Sequence, residues 1–399
     1  MSEPSGTTST APPAPSGSVD ELGVDVTGDH DLDLPPVAPG EVLLEVDDLH
    51  TTFASPRGRV RAVRGITFDL RRGRTLGVVG ESGSGKSVLA RSIMGLMPTN
   101  ATRTGSVRFA GNEILNASPK AMRGYWGDQM AMVFQDPMTA LNPVLRVEQQ
   151  ITESLHEHID MSKSQASDTA LALLESVGIP EPKRRLRMYP HEMSGGMRQR
   201  IMIAIALACG PKMLFADEPT TALDVTVQAQ ILDLLQGMQR DRQMAMMLVT
   251  HDLGVVAGRA HDIAVMYAGR IVEQAPAAEL FAHVRHPYTE ALLRSIPKLE
   301  MAKHTKLDAI GGRPPDLVHL PEGCKFAPRC PYAQEKCRVD DPPLTPDPDD
   351  PTHLYACHFP VSGVGVAVDA PQAVEAPPRS APARTGGSVQ APPRPEVKT

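Results

Sequence analysis

The stretch GESGSGKS, residues 80–87, decides how the rest of this chain is interpreted. It fits the pattern G-x-x-x-x-G-K-[ST], follows the apolar run RTLGVV and precedes a segment with helical periodicity, which is the context this motif requires. Its glycines let backbone N–H groups converge on phosphate oxygens, and the following helix turns its positive end toward the same anion. We therefore predict a phosphate-binding loop at the end of a buried strand, rather than a simple Gly/Ser turn.

The residues of this loop have separate expected roles in holding a nucleotide. Lys86 offers a mobile cation to the β and γ phosphates, and Ser87 offers a hydroxyl to Mg²⁺. The nucleotide-binding residues predicted in the loop are Gly80, Ser82, Gly83, Ser84, Gly85, Lys86 and Ser87.

The segment KMLFADEP, residues 212–219, places two carboxylates at the end of a second apolar run. Asp217 emerges where the predicted strand ends and is a candidate Mg²⁺ ligand, directly or through water. Glu218 follows it and is a candidate for polarising the attacking water. Acids at strand ends can also be simple helix caps, but a neighbouring phosphate loop favours the catalytic interpretation.

Short apolar runs alternate with helical patterns along the middle of the chain. TLGVVG, MAMVF, KMLFAD and AMMLVT each end at a polar loop, as buried parallel strands do. SVLARSIMGLM, ASDTALALLESVG and TVQAQILDLLQGMQR show helical spacing, whereas EVLLEVDDL and RAVRGITFDL alternate like strands with one buried face. The predicted fold class is therefore α/β, with polar loops gathered at the carboxyl ends of the strands.

The segment MSGGMRQR, residues 193–200, makes the sequence resemble the ATPase subunits of ABC transporters. Ser194, Gly195 and Gly196 resemble the family's signature loop, which opens a further helix and offers a second anion-binding helix end. One nucleotide cannot easily use both loops of one chain. The resemblance implies a head-to-tail dimer, in which each signature loop covers the ATP held by the partner's phosphate loop.

Three further residues stand in the order that this family shows. Gln135 follows the run MAMVF as the Q-loop glutamine does, and Asp224 in TALD resembles the D-loop aspartate that faces the partner. His251 in LVTHD stands where the family places its switch histidine. The resemblance implies Glu218, His251, Lys86 and Gln135 as catalytic residues, and Ser87, Gln135 and Asp217 as Mg²⁺ ligands.

The resemblance extends over roughly residues 42–360 and implies the architecture. A P-loop NTPase of this kind has a RecA-like core, an antiparallel β subdomain and a helical signature subdomain, here followed by a small cysteine-ligated extension. The family stacks adenine on an aromatic side chain near the first strand. Phe53 is the candidate for that contact, with a place in the core as the alternative.

A narrower resemblance concerns the cargo and the partners. QDPMTALNP (135–143) and HPYTEALL (286–293) resemble the oligopeptide/dipeptide importer branch, and the form GMRQR with the terminal cysteines resembles its D-type ATPase. That branch implies a second, F-type ATPase subunit, two membrane-spanning permease subunits and an extracytoplasmic peptide-binding protein. The implied function is ATP hydrolysis that drives import of di- or oligopeptides, at the cytoplasmic face of a bacterial cell membrane. Nickel or another small solute is the alternative cargo.

Four of the five cysteines follow one another as C-x5-C-x6-C-x19-C, namely Cys324, Cys330, Cys337 and Cys357. The pattern lacks the two C-x2-C pairs of a compact zinc ribbon, whereas Fe–S clusters accept four thiolates at more varied spacing. D-type ATPases end in this kind of arrangement, which implies a [4Fe–4S] site. Zinc and unliganded buried thiols are the alternatives.

The surroundings of these cysteines give further expectations. Pro328, Pro331 and Pro360 predict loops rather than helices around the centre. Cys209 lies in an apolar helical pattern and is expected in the core. Electron transfer, redox sensing and a structural staple are all open as the role of the cysteine centre.

Composition limits where the protein works. The most apolar stretch, IMIAIALACG at 201–210, is about half the roughly 20 residues that cross a bilayer. The N-terminus has neither a basic residue nor an apolar run, so we expect no signal peptide. Location in the cytoplasm follows as an expectation, and cysteines there stay reduced.

The charge distribution gives no reason to expect a nucleic-acid partner. Residues 1–40 hold seven acids and no base, and the remaining chain has 40 acids against 40 Lys and Arg. The arginines of RGRVRAVRGITFDLRRGR, residues 57–74, are expected on the solvated face of a strand, with little aromatic interleaving.

Two rival functional classes are also disfavoured. ABC-type ATPases of DNA repair and translation usually carry a coiled-coil arm or two ATPase units, whereas only about 58 residues separate Gln135 from Ser194 and a second phosphate loop is absent. A degenerate site that holds ATP without cleaving it is disfavoured because Glu218 and His251 fill both hydrolytic positions.

The predicted organisation has four parts. Residues 1–39 and 361–399, rich in Ser, Thr, Pro and Gly, are expected to be disordered tails. Between them we expect an ATPase domain over residues 40–285 and a cysteine-bearing extension over residues 286–360.

Overall fold

A computed structural model describes residues 37–221, 223–296 and 310–362. The predicted disordered tails lie outside the described residues, apart from residues 37–39 and 361–362.

Twelve strands form two sheets within this part of the chain. The strands are β1 (Val42–Ser55), β2 (Gly58–Arg71), β3 (Thr75–Val79), β4 (Ala101–Phe109), β5 (Asn112–Glu113), β6 (Met130–Val133), β7 (Met213–Asp217), β8 (Ala245–Thr250), β9 (Asp262–Tyr267), β10 (Arg270–Pro276), β11 (Thr345–Pro346) and β12 (Leu354–Tyr355). The larger sheet has the order β11-β12-β10-β9-β3-β8-β7-β6, and the smaller one has the order β2-β1-β4-β5.

The centre of the larger sheet is parallel, as the apolar runs predict. Strand β3 pairs in parallel with both β8 and β9, and β7 pairs in parallel with both β8 and β6. Every residue of these five strands is buried, because helices or the smaller sheet cover both faces. Parallel strands deliver their carboxyl ends to one edge, so the loops after β3, β6, β7 and β8 meet there.

The smaller sheet is antiparallel and has one buried face. In β2, Ile66, Phe68 and Leu70 are buried while Thr67 and Asp69 are exposed, which matches the period of two expected from the sequence. Strands β1 and β2 form a long hairpin that pairs Phe53 with Val60 near its tip, and β4 flanks β1 on the other side.

Twelve α-helices and a short 3-10 helix, Pro190–Glu192, accompany the sheets among the described residues. The α-helices are α1 (Lys86–Ile93), α2 (Pro119–Met122), α3 (Pro137–Ala140), α4 (Val147–His158), α5 (Lys163–Ser176), α6 (Pro182–Arg185), α7 (Gly195–Leu207), α8 (Val225–Asp241), α9 (Leu253–Val256), α10 (Ala277–Ala282), α11 (Pro287–Arg294) and α12 (Glu335–Val339).

A helical unit occupies the interval between β6 and β7. Its helices α4, α5 and α7 bury apolar stripes against one another, with Ile151 and Leu155 from α4 and Ala170 and Leu173 from α5. This unit is small, as the short interval between the Q-loop and signature segments predicts.

The C-terminal segment, residues 310–362, contributes two strands to the larger sheet. Strand β12 pairs with the edge strand β10, and β11 pairs with β12. The buried carboxylate of Glu273 on β10 accepts hydrogen bonds from the backbone N–H groups of Arg285 and His286, and lies 2.8 Å from His353 Nε2. These contacts connect β10 to the residues just before α11 and to His353, just before β12.

Two local details of the C-terminal segment differ from the sequence-based expectation. Cys337 lies on the short helix α12, although the nearby prolines predict loops, because those prolines fall outside the helical turn itself. Arg64, predicted on a solvated face, instead lies 3.4 Å from Asp341, which also contacts Arg270 and Lys325 at 2.9 and 3.2 Å.

The architecture is therefore a mixed α/β fold with a parallel central sheet, as predicted. No helix among residues 37–221, 223–296 and 310–362 has the length and apolar character needed to cross a membrane.

Candidate nucleotide-binding and hydrolysis site

The predicted phosphate loop connects β3 to α1 at the carboxyl edge of the sheet. Gly85 precedes the helix with a φ of 104° and lies against the Ala62 carbonyl, so any side chain would be strained and obstructed there. A Cβ on Gly80 would strike the backbone carbonyl of Met266. The loop is thus held close to two neighbouring strands, β2 and β9.

Lys86 begins α1 and is 4% exposed, inside the curve of the loop. Its Nζ donates hydrogen bonds to the carbonyl oxygens of Gly80 and Glu81 at 2.7 and 3.1 Å and lies 3.7 Å from the Glu218 carboxylate. Burial lowers the pKa of Lys86, although the carboxylates of Glu218 and Asp217 act in the opposite direction. A cation held in so little water attracts phosphate strongly.

Ser87 and Asp217, two of the residues predicted to bind Mg²⁺, are in direct contact. The Ser87 hydroxyl donates a hydrogen bond of 2.6 Å to Asp217 Oδ1. The other oxygen, Oδ2, is buried and accepts no hydrogen bond from the described residues, with Arg91 at 3.8 Å. Burial raises the pKa of Asp217 because it penalises the charged form of the carboxyl group. Oxygen donors and an unsatisfied carboxylate suit Mg²⁺.

Glu218 takes a left-handed backbone conformation, with a φ of 46°, directly after β7. Its N–H donates to the Val249 carbonyl of β8 at 3.0 Å. One carboxylate oxygen, Oε2, accepts hydrogen bonds from Gln135 Nε2 at 3.1 Å and from the Thr221 hydroxyl at 3.0 Å, and lies 3.4 Å from His251 Nδ1. The glutamine, the glutamate and the histidine predicted from separate motifs therefore meet at one carboxylate.

Part of this set of predicted residues lines one open cavity of about 660 Å³, whereas Gly80, Ser84 and Asp217 do not line it. Its lining residues are Glu81, Ser82, Gly83, Gly85, Lys86, Ser87, Val88, Gln135, Glu218, His251 and Pro314. One end of the cavity offers the Lys86 cation, the Ser87 hydroxyl and backbone donors, which a triphosphate requires. The pair of Glu218 and His251 lies beside them.

Three of the predicted groups lie elsewhere. Ser194 caps α7 by accepting a hydrogen bond from the Met197 N–H, and it and Gly195 are exposed. Asp224 caps α8 in the same way and is also exposed. Phe53 is half-buried on β1. None of these residues lines the phosphate cavity, so within one chain the site lacks the signature loop.

The four C-terminal cysteines share a different, small cavity, together with His286, Tyr332 and Phe359 among others. Burial raises the pKa of the Cys357 thiol to about 12 and also raises the pKa values of Cys324 and Cys330. Among the described residues, no set of three or more His, Cys, Asp or Glu is placed to hold a single metal ion.

Several residues near the site escaped sequence-based prediction. Thr221 belongs to the quoted TALD segment, and its place three residues after Glu218 is the signal that marks it as a partner of the carboxylate. Arg91 lies one helical turn after Ser87 on α1, and the same periodicity could have identified it. Pro314 and Arg329 approach the phosphate loop from the C-terminal segment, and no local pattern marks them.

Comparisons with known proteins agree with this geometry. Residues 63–221 match the family described as ABC transporter, and residues 272–337 match the family described as oligopeptide/dipeptide transporter, C-terminal region. The oligopeptide transport ATP-binding protein OppD of Salmonella typhimurium is 51% identical over 323 residues, which are 81% of this chain and 95% of that protein. This chain belongs to the ABC transporter ATPases. The ABC ATPase is also similar to the dipeptide transport ATP-binding protein DppD of Bacillus subtilis, 50% identical over 74% of this chain and 89% of that protein.

Solved structures support the cassette fold of this ABC ATPase. A dimeric ATP-binding cassette in a post-hydrolysis state, bound to ADP and phosphate, matches with a TM-score of 0.54 and 25% identity, over 59% of this chain and 99% of that chain. The protein cbiO1 from Clostridium perfringens, part of an ABC transporter complex, matches with a TM-score of 0.52 and 27% identity, over 60% of this chain and 90% of that chain.

Proposed function

We propose that this ABC ATPase hydrolyses ATP at the cytoplasmic face of a bacterial cell membrane and thereby energises the uptake of di- or oligopeptides. The observation that carries the hydrolytic part is the meeting of Lys86, Ser87, Gln135, Glu218 and His251 around one cavity. The names of the related peptide-transport proteins support the cargo.

The chemistry follows from the geometry of the described residues. Lys86 and the loop N–H groups neutralise the phosphate charge, and the strained backbone of Glu218 aims its carboxylate at the position of the attacking water. His251, beside Glu218, stabilises the transferring γ phosphate. Ser87 and Asp217, with Gln135 nearby, would hold Mg²⁺, which supplies positive charge to the β and γ phosphate oxygens.

The predicted signature loop does not line the cavity of its own chain, which implies a second ATPase subunit. Ser194, Gly195 and Gly196 are the signature loop that this chain would offer to ATP on its partner, and the partner's equivalent loop would cover the cavity described above. We propose an F-type ATPase subunit as that partner. The exposed Asp224 would face it.

A surface beside the Q-loop suits the membrane subunits. Met138 and Val144 in the segment after Gln135 are large apolar side chains that are 58% and 75% exposed. We propose that this surface receives a cytoplasmic helix of one of two permease subunits, with an extracytoplasmic peptide-binding protein delivering the cargo.

Reconstituted transport tests the proposed function. The complete transporter is reconstituted in proteoliposomes, with Mg-ATP inside the vesicles and the binding protein outside. These vesicles should accumulate a labelled tripeptide and not nickel. ATP-driven accumulation of nickel without peptide would assign the alternative cargo. ATP hydrolysis with no solute movement would remove the transport role altogether.

We further propose that Cys324, Cys330, Cys337 and Cys357 bind a [4Fe–4S] cluster. The four thiols share one cavity, and their spacing lacks the two C-x2-C pairs of a compact zinc ribbon. A cluster binds each thiolate at a separate iron, so it accepts a more open arrangement. Protein purified without oxygen should be brown, with about four irons per chain. A colourless protein with one zinc would contradict this assignment.

A further inference from the structure

Glu81, the second residue of the phosphate loop, forms an ion pair with the cysteine segment, which comprises residues 324–357. Arg329 lies between Cys324 and Cys330, and its guanidinium donates to both carboxylate oxygens of Glu81 at 2.6 and 2.9 Å. The Arg329 side chain is only 3% exposed. Glu81 is partly exposed, with 27% of its side chain accessible, and the bidentate contact fixes orientation as well as distance. The Glu81 carboxylate also raises the pKa of Arg329, so the guanidinium stays charged.

The backbone of Glu81 is held from the same side. Its N–H donates a hydrogen bond of 2.8 Å to the hydroxyl of Tyr288 on α11. Tyr288 is fully buried, and its ring packs against Tyr267 at 4.6 Å and against Phe326 of the cysteine segment at 5.3 Å between centroids. Side chain and backbone of this one loop residue therefore both depend on the C-terminal part of the chain.

Arg329 also holds a wall of the nucleotide cavity. Its Nε donates to the Gly311 carbonyl at 2.8 Å. The segment that starts there brings Pro314 to the cavity and continues to Asp316, which pairs with Arg57 at the tip of the β1–β2 hairpin at 2.6 Å. One guanidinium thus connects the phosphate loop, the cavity wall and the cysteine segment.

We infer that the cysteine segment positions the phosphate loop through Arg329 and Tyr288, and that ATP affinity depends on these two positioning residues. The inference rests on the proposed ATPase function and deepens it. Two effects act together. The ties hold the loop in its binding conformation before ATP arrives, and the guanidinium neutralises Glu81, whose carboxylate lines the cavity and would otherwise repel the triphosphate.

Charge substitutions at the pair separate this role from a purely structural one. For the full-length chain, Arg329→Gln should raise the Kd for ATP about tenfold, since it removes a charged bidentate contact and leaves Glu81 unpaired. The double variant Arg329→Gln with Glu81→Gln should return to within about threefold of the wild-type Kd, because the repulsion is gone. Arg338→Gln, at a side chain that is 63% exposed, is the matched control and should bind as wild type.

The kinetics of the assembled transporter give a second readout. Arg329→Gln should raise the KM for ATP by a similar factor of about ten while kcat stays within about threefold, because Glu218 and His251 are untouched. Tyr288→Phe deletes only the hydroxyl that receives the Glu81 N–H, and should raise the ATP Kd about threefold without disturbing charge. If Arg329→Gln does not fold, the ATP Kd of Tyr288→Phe tests the positioning role instead.

The outcomes are distinct. Wild-type ATP affinity in both Arg329→Gln and Tyr288→Phe would overturn the positioning role, and a double variant as weak as Arg329→Gln alone would overturn the charge-neutralising effect. A wild-type chain that binds no ATP would instead contradict the proposed function itself.

Discussion

At the scale of single residues, Glu218 shows how the backbone directs a side chain that we propose to be catalytic. A φ of 46° is unfavourable for a residue with a Cβ, and the hydrogen bond to Val249 of β8 helps to maintain it. The resulting direction brings the carboxylate to Gln135 and His251. Sequence could predict the residue and its neighbours, because each follows an apolar strand, but not the strained conformation, which depends on pairing between strands.

Replacement of Glu218 tests its catalytic assignment. Glu218→Gln keeps the shape and the hydrogen-bond acceptor for Gln135, so ATP binding should persist, whereas kcat in the assembled transporter should fall by about 100-fold or more because the basic oxygen is lost. Steady-state ATPase assays and nucleotide titration measure the two effects. Glu335→Gln, at a side chain that is 87% exposed, is the control, and an unchanged kcat in Glu218→Gln would show that another group activates the water.

At the scale of elements, two glycines differ in the space around them. Gly80 is confined by a neighbouring strand, whereas Gly237 has open space around it. A Cβ at Gly80 would strike the Met266 carbonyl, whereas a Cβ at Gly237, in the interior of α8, meets no atom within 4 Å. Gly80→Ala should therefore weaken ATP binding about tenfold or more and lower the melting temperature, because the loop must move away from β9. Gly237→Ala should stabilise the fold by about 0.5–1 kcal/mol.

Nucleotide titration and thermal unfolding of the two glycine variants measure these opposite effects. Equal behaviour of the two variants would show that the loop is not confined by its neighbouring strand.

The C-terminal edge of the sheet should respond to acid through His286. This residue is 1% exposed, caps α11 by accepting the Tyr288 N–H at its Nδ1, and burial lowers its pKa from 6.5 to about 4. Below pH 6.5 the unfolded chain takes up a proton that the folded chain excludes, so stability is present above that pH and is lost as the pH falls toward 4. The loss attributable to His286 is about 3 kcal/mol.

Denaturant unfolding at a series of pH values between 6.5 and 4 measures this effect. His286→Asn keeps a side-chain acceptor for the cap but does not titrate, so the free energy of unfolding should decline less steeply with acid than in the wild type. An identical slope in the two proteins would assign the acid sensitivity to other groups.

At the scale of the whole molecule, the sequence predicts features that a local motif marks, and it misses contacts between residues that are far apart in the chain. The phosphate loop, Asp217, Glu218 and His251 follow buried strands, and the parallel arrangement of those strands brings them together, so their meeting was predictable. The contact of Arg329 with Glu81 joins residues 248 positions apart, and neither residue type carries a local signature of the pairing. The addition of β12 to the sheet was hidden for the same reason, since a two-residue strand has no period.

Hydrolysis and transport, as proposed for this ATPase, require ATP to be held between two ATPase subunits. The most direct measurement is sedimentation of the full-length Glu218→Gln chain mixed with its partner ATPase, with and without Mg-ATP. We expect a complex of the two subunits only when ATP is present, and we expect Ser194→Arg to weaken it. Saturation of the phosphate loop by ATP without any association of the two subunits would contradict the account.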